Sequence, residues 1–168
     1  ANVLSFQSLS KRSNLPGLRS GFIAGDPALI ATYRTLRAYG GCPSPLPVYA
    51  AAAAAWNDEA HVEASRALYR AKIDAAEKIF AGRFGFFRPA GGFFLWLNVK
   101  DGEAAAKQLW CEAGIRVVPG RYLAQTDSDG YNPGAAYIRV ALVQPSEITE
   151  KALKRLVQTL DASFGKPA

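Results

Sequence analysis

Between about Glu59 and Phe80 the apolar residues Val62, Leu68, Ile73, Ala76 and Phe80 recur at helical spacing, and Gly82 supplies a stop. A helix of this length predicts a bridge between two domains, and it divides the chain into two differently patterned halves. Ahead of it, Asn2 to Gln7 reads as a strand, Ser8 to Ser20 as a polar loop, and Gly21 to Ala24 as an apolar return. Asp26 and Pro27 then form a helix start, cap residue followed by proline, for a segment that stops at Gly40-Gly41. A proline-broken connection from Cys42 to Pro47 leads to an alanine-rich helix from about Val48 to Trp56. Behind the bridge the spacing predicts strands over Phe84 to Arg88 and Gly92 to Val99 and a helix over Glu103 to Ala113. Strands over Ile115 to Val118 and Ala136 to Val143 and a last helix from Ser146 to Phe164 complete it. Alternation of this kind makes a compact α/β or α+β unit.

Composition narrows the function classes. The 168 residues, about half of them hydrophobic, suffice for one ordinary core or for a small domain plus a piece of a second. The longest apolar stretch, Ala50 to Ala55 with Trp56, falls far short of the roughly 20 residues that cross a bilayer, so no membrane partner is expected. The net charge of +6 is spread among acids with no basic run or RNA-binding aromatic pattern, which argues against nucleic acid. It suits anionic small molecules or an ordinary basic surface. Cys42, Cys111 and the single His61 lack metal-ligand spacing; no metal is expected, and the cysteines read as reduced thiols of a cytoplasmic protein. The chain has no Met and opens at Ala1 directly into Val3, Leu4 and Phe6, so it is expected to be processed or a fragment, and the absence of a leader says little about localisation.

The stretch that carries chemistry is Ser8-Leu9-Ser10-Lys11-Arg12-Ser13-Asn14-Leu15-Pro16-Gly17-Leu18-Arg19-Ser20-Gly21. A lysine sits among hydroxyls at the end of a strand, and an arginine follows across a Pro-Gly turn. If the flanking strands share a sheet, Lys11 and Arg19 emerge at the same end, a place to hold an aldehyde and a phosphate. A lysine attacks an aldehyde only when deprotonated, and a nearby cation with partial burial favours that state. Arg19 would be that cation and could grip a phosphate bidentately, with Ser8 and Ser10 adding hydrogen bonds.

This stretch resembles the cofactor-attachment signature of the class I and II aminotransferases, which depend on pyridoxal 5'-phosphate (PLP). A small residue, an apolar residue, a second small residue and the lysine are followed eight positions on by an arginine and then a glycine. Ser20 departs from the pattern, where an aliphatic residue or Ala is usual. Three further blocks follow in the family's order: Gly91-Gly92-Phe93-Phe94-Leu95-Trp96-Leu97, Gly114-Ile115-Arg116-Val117-Val118-Pro119-Gly120, and Tyr137-Ile138-Arg139-Val140-Ala141-Leu142. In the last, the resemblance makes Arg139 the residue that binds the substrate's α-carboxylate. Taken alone, an arginine on an edge strand, reaching to water, would explain it as well. The blocks around Lys11, with Ala55-Trp56-Asn57-Asp58-Glu59-Ala60-His61-Val62 and Asn132-Pro133-Gly134 ahead of Arg139, are most similar to the N-succinyldiaminopimelate aminotransferases of bacterial lysine biosynthesis. Their substrates carry several carboxylates, so Arg12 and Arg121 become candidates by position.

The resemblance implies a PLP-dependent transaminase acting on amino-acid and 2-oxo-acid substrates, a homodimer in the cytoplasm. Lys11 would be both covalent anchor and proton carrier, with Ser8, Ser10 and Arg19 binding the cofactor. It implies an α/β fold in which residues 1–56 end the large cofactor-binding domain and residues 57–168 are the bridging helix and small α+β domain. Much of the family's cofactor machinery precedes the lysine, so this chain alone is expected not to transaminate. Another PLP reaction such as β-elimination or decarboxylation, a non-catalytic module of a DNA-binding regulator, and a piece that only builds a dimer are the alternatives.

Overall fold

The computed structural model describes residues 2–41 and 43–164; Ala1, Cys42 and residues 165–168 lie outside the described residues, and with Cys42 the reading of that thiol. The chain forms two compact units, Ala1–Ser65 and Arg66–Ala168, which are described separately.

In the first unit, β1 (Leu4–Ser8) and β2 (Gly21–Gly25) pair antiparallel with Ser8 opposite Gly21. Gly21 is required there, because a Cβ would run into the Gln7 carbonyl and sit 3.3 Å from Ser8 Cα. The loop between the strands is not irregular throughout, as its composition suggested. It holds one helical turn, α1 (Leu9–Arg12), and a 3-10 turn at Pro16–Leu18. Helix α2 (Pro27–Gly40) starts as predicted at Asp26, whose carboxylate accepts from Ala28 N at 2.9 Å and Leu29 N at 3.2 Å. Helix α3 (Leu46–Asn57) and the first turns of α4 (Ala60–Phe80) complete the unit. Its buried apolar side chains among the described residues are Leu9, Ala52 and Val62, while Phe6, Phe22, Leu36, Tyr39 and Leu46 are exposed.

The second unit has a true core. Strands β3 (Phe94–Asn98), β4 (Val118–Pro119) and β5 (Tyr137–Ala141) form an antiparallel sheet in the order β3-β5-β4. Leu95, Leu97, Ile138 and Val140 alternate to one face, where α4, α5 (Gly102–Ala113) and α6 (Ser146–Phe164) bring Ile73, Phe80, Leu109, Leu156 and Leu160 against them. Each large side chain fully buried there contributes roughly 1.5–3 kcal/mol of transfer free energy. The opposite face carries the half-buried Trp96, Tyr137 and Arg139.

Two predicted strands change character. Over Phe84 to Arg88 the chain makes a 3-10 turn, Arg83–Gly85, because Gly82, Phe84 and Gly85 all have positive φ, which no strand allows. The aromatic rings instead pack on Phe80, Phe86 stacked at 5.4 Å and Phe84 edge-on at 6.4 Å. The strand expected over Ile115 to Val118 shrinks to β4, since Ile115 N is used to cap α5 through the Leu109 carbonyl and Pro119 has no N–H to extend the ladder.

Candidate active site

The antiparallel register sets Lys11 and Arg19 on one loop at one end of the β1–β2 ribbon, as the sequence required. Leu9, fully buried, is the loop's anchor: its N–H donates to Ser20 O at 3.2 Å, and its carbonyl accepts from Ser13 N at 3.1 Å and Leu15 N at 3.2 Å. Lys11 lies on α1 and is exposed, which corrects the expectation of partial burial. Ser8 caps the turn. Its Oγ accepts from Ser10 N at 3.1 Å and lies 2.9 Å from Ser10 Oγ and 3.5 Å from the Ser20 carbonyl. Arg19 holds φ 50° and ψ 36°, a left-handed conformation that costs a side-chain-bearing residue about 1–2 kcal/mol. Its backbone N–H and its Nη1 both donate to the Pro16 carbonyl, at 3.4 and 3.0 Å. An amine, two hydroxyls and a guanidinium gathered on one knotted loop fit an aldehyde that carries a phosphate.

Arg12, a candidate for substrate carboxylates by position, is otherwise engaged. Its Nη2 pairs with Glu59 Oε1, its Nη1 donates to Ala55 O at 2.9 Å, and its guanidinium carbon lies 4.8 Å from the Trp56 ring. Arg121 is likewise paired, through Nη1, with Glu103, which also accepts from the Tyr122 hydroxyl at 2.5 Å. Tyr122 first and Arg121 second hold the Glu103 carboxyl below the usual range. Each arginine is thus paired with a carboxylate of this chain.

Arg139 differs. It sits on the central strand β5, not on an edge, directly between Trp96 of β3 and Val118 of β4. Its guanidinium lies 4.4 Å over the Phe94 ring, and among the described residues no carboxylate pairs with it. A half-buried cation stacked on an aromatic face and lacking an acidic neighbour is ready for an incoming anion. The Asn132-Pro133-Gly134 and Pro119-Gly120 segments meet beside this sheet. A Cβ on Gly120 would strike the Gly134 carbonyl and lie 2.7 Å from the Trp96 ring. Asn132, buried, fixes the meeting by accepting from Gly134 N at 2.9 Å and donating to the Arg121 carbonyl, next to Gly120, at 3.2 Å.

The sequence did not single out Ser13, Asp58 and His61 as a group, although all three lie in blocks that carried the resemblance. In the structure they are bonded to one another. Phe94, under Arg139, was legible only as part of an aromatic strand.

Comparison with known proteins agrees with this geometry. The family model described as "Aminotransferase class I and II" matches residues 1–160. The chain is 36% identical over 155 residues to the 4-dedimethylamino-4-oxo-anhydrotetracycline transaminase OxyQ of Streptomyces rimosus, covering 92% of this chain and 41% of that one. An aminotransferase structure from Neisseria meningitidis superposes with a TM-score of 0.86 at 44% identity, over 92% of this chain and 40% of that one. A "probable N-succinyldiaminopimelate aminotransferase" from Thermus thermophilus gives a TM-score of 0.79 at 25% identity, over 94% and 42%. The chain thus spans about two-fifths of the length of the relatives it matches. With its lysine loop, its glycine turns and its strand arginine all on the matched residues, this chain belongs to the class I and II aminotransferases, a family of PLP-dependent transaminases.

Proposed function

We propose that the protein containing this chain transfers an amino group between an amino acid and a 2-oxo acid, using PLP held by Lys11. The observation that carries the reading is the Lys11 loop, in which Ser8, Ser10 and Arg19 gather around one ribbon end with Arg19 in a strained conformation. Such strain persists only where the surroundings impose it, and it is common at ligand-binding turns. In this reading Arg19 and the Ser10 hydroxyl bind the phosphate, and Lys11 Nζ anchors the aldehyde. PLP, when bound, supplies an electron sink that makes the substrate's Cα–H acidic. Lys11 Nζ would carry the substrate's Cα proton, acting as base and then as acid. Arg139 binds the substrate's α-carboxylate.

For the substrate we propose N-succinyl-diaminopimelate, with 2-oxoglutarate as acceptor, in diaminopimelate and lysine biosynthesis. The motifs around Lys11, Trp56 and Asn132 support this, as does the Thermus neighbour. A 30% identical relative from Aquifex aeolicus carries the name LL-diaminopimelate aminotransferase. Residues 1–56 are read as the end of a large cofactor domain and 57–168 as the bridging helix and small domain of a cytoplasmic homodimer. The exposed Phe6, Phe22, Leu36, Tyr39 and Leu46 of the first unit support an extensive covering surface in the whole enzyme. Transamination of N-succinyl-LL-diaminopimelate and of unmodified LL-diaminopimelate by the full-length enzyme separates the two substrates. A higher kcat/KM for the succinylated compound is expected; the reverse order would overturn this choice.

A further inference from the structure

Next to Lys11 in sequence stand Arg12 and Ser13, and both are tied to the junction between α3 and α4. Ser13 closes α1, its N–H donating to Leu9 O at 3.1 Å, and it is 9% exposed. Its Oγ lies 2.9 Å from His61 Nε2, and His61 Nδ1 lies 2.8 Å from Asp58 Oδ2. The other Asp58 oxygen, Oδ1, accepts from Ala60 N at 2.8 Å at the start of α4. A carboxylate can only accept, so His61 Nδ1 carries the hydrogen in this bond. In the neutral ring Nε2 is then an acceptor, and the Ser13 hydroxyl donates to it. Arg12 Nη1 donates to the same Ser13 Oγ at 3.3 Å. With the ring neutral, the bonds run in one direction, from Arg12 to Ser13 to His61 to Asp58. The His61 hydrogen bond also holds the Asp58 carboxyl below its ordinary range, as a bond to an ionised group should.

Serine, histidine and aspartate in this order would suggest a nucleophile, but the Ser13 hydroxyl is buried and engaged on both sides. The chain can do something else. One turn of helix has too few internal hydrogen bonds to hold its own orientation, and α1 has only four residues. We propose that Ser13, His61 and Asp58 form a positioning chain that fixes the end of α1 against the start of α4 and thereby aims Lys11, two residues away. His61 is a positioning residue in this account; it touches neither cofactor nor substrate. The inference rests on the reading of Lys11 as the cofactor's lysine. It adds a role for a sequence block, Asp58 to His61, that the reaction itself leaves unused.

The test uses the full-length holoenzyme and the variants His61→Ala, Ser13→Ala, the double variant, and His61→Gln, whose amide can still accept from Ser13. Two quantities are read: kcat against KM, and amide hydrogen exchange of the peptide spanning residues 9–15 in enzyme stripped of cofactor. His61→Ala should lower kcat by about tenfold or more, since misplacing a reacting group by a full ångström can cost about a hundredfold. KM should stay within about twofold, and exchange across 9–15 should speed up by about tenfold. Ser13→Ala should act alike, the double variant should be no worse than His61→Ala, and His61→Gln should recover most of the loss. If His61→Ala leaves both kcat and exchange unchanged, or if the two single effects simply multiply, the positioning chain is refuted. Should His61→Ala fail to fold, Asp58→Asn decides: it keeps an oxygen for Ala60 N but offers His61 no charge, and unchanged kcat and exchange would again refute the chain. Borohydride capture of the cofactor on the wild-type enzyme runs alongside. A label absent from Lys11 would sink the cofactor reading, whereas the exchange data on cofactor-free enzyme judge the clamp by itself.

Discussion

Arg139 carries a positive charge into a half-buried place between Trp96 and Val118, over Phe94 and away from any described carboxylate. That is costly unless an anion arrives, so Arg139→Ala should lower kcat/KM for carboxylate substrates of the full enzyme by about 10- to 100-fold, the worth of a charge-assisted bond. Arg139→Lys should recover little, since it keeps the charge and loses the planar fork. Steady-state kinetics with an amino acid and its decarboxylated amine would check this, because only the acid should feel the substitution. Arg19 makes the opposite trade. Arg19→Gly relieves a left-handed backbone and should raise thermal stability by up to about 1 kcal/mol while weakening PLP binding by about tenfold or more, read by equilibrium dialysis. At this scale the sequence showed which residues carry charge and in which order, and the family pattern marked Lys11, Arg19 and Arg139. It could not show that Arg12 and Arg121 pair with Glu59 and Glu103, because those partners come from distant turns of the chain.

Among the elements, α2 and α5 begin or end on residues that do local chemistry, and α3 and α6 were legible from their composition and apolar spacing. Asp26 and Asp101 accept helix N–H groups, and Gly114 ends α5 with φ 61°. The short α1 was not legible: its signal is a single capping serine, and one turn has no apolar period to read. Nor was the turn at Arg83–Gly85, where aromatic residues with strand-like character bend to pack on Phe80. The meeting of the two glycine turns was visible only as two separate motifs. Gly120→Ala should therefore cost about 1–3 kcal/mol by overpacking against Gly134 and Trp96, measured by denaturant unfolding. Beside it, Glu103 binds Tyr122 and Arg121, which depress its pKa below that of the unfolded chain. Such a group stabilises the fold fully above the ordinary carboxylate value, about pH 4, and the benefit disappears as pH falls through the lowered value. Glu103→Gln should accordingly flatten the acid side of a plot of Tm against pH, and also its limb above about pH 10, because Glu103 holds the Tyr122 hydroxyl above its ordinary value.

Over the whole chain, the two units differ in what holds them. The second buries a continuous cluster from α4, the sheet, α5 and α6, whereas the first buries Leu9, Ala52 and Val62 among its described apolar residues. A fragment from Asp58 to the end, which keeps the α4 cap, should unfold cooperatively, with a single transition seen alike by circular dichroism and tryptophan fluorescence. Residues 1–57 alone should show no such transition. Hydrophobic composition gave no sign of this imbalance, because Phe6, Phe22 and Leu36 read as core residues wherever their covering surface lies. The central claim concerns the loop at the end of the β1–β2 ribbon, and one measurement addresses it most directly. The full-length enzyme is incubated with PLP, reduced with borohydride, digested and analysed by mass spectrometry. A single reduced pyridoxyl group on the peptide containing Lys11, lost in Lys11→Ala, is the result this account predicts; a label on another lysine, or none, would contradict it.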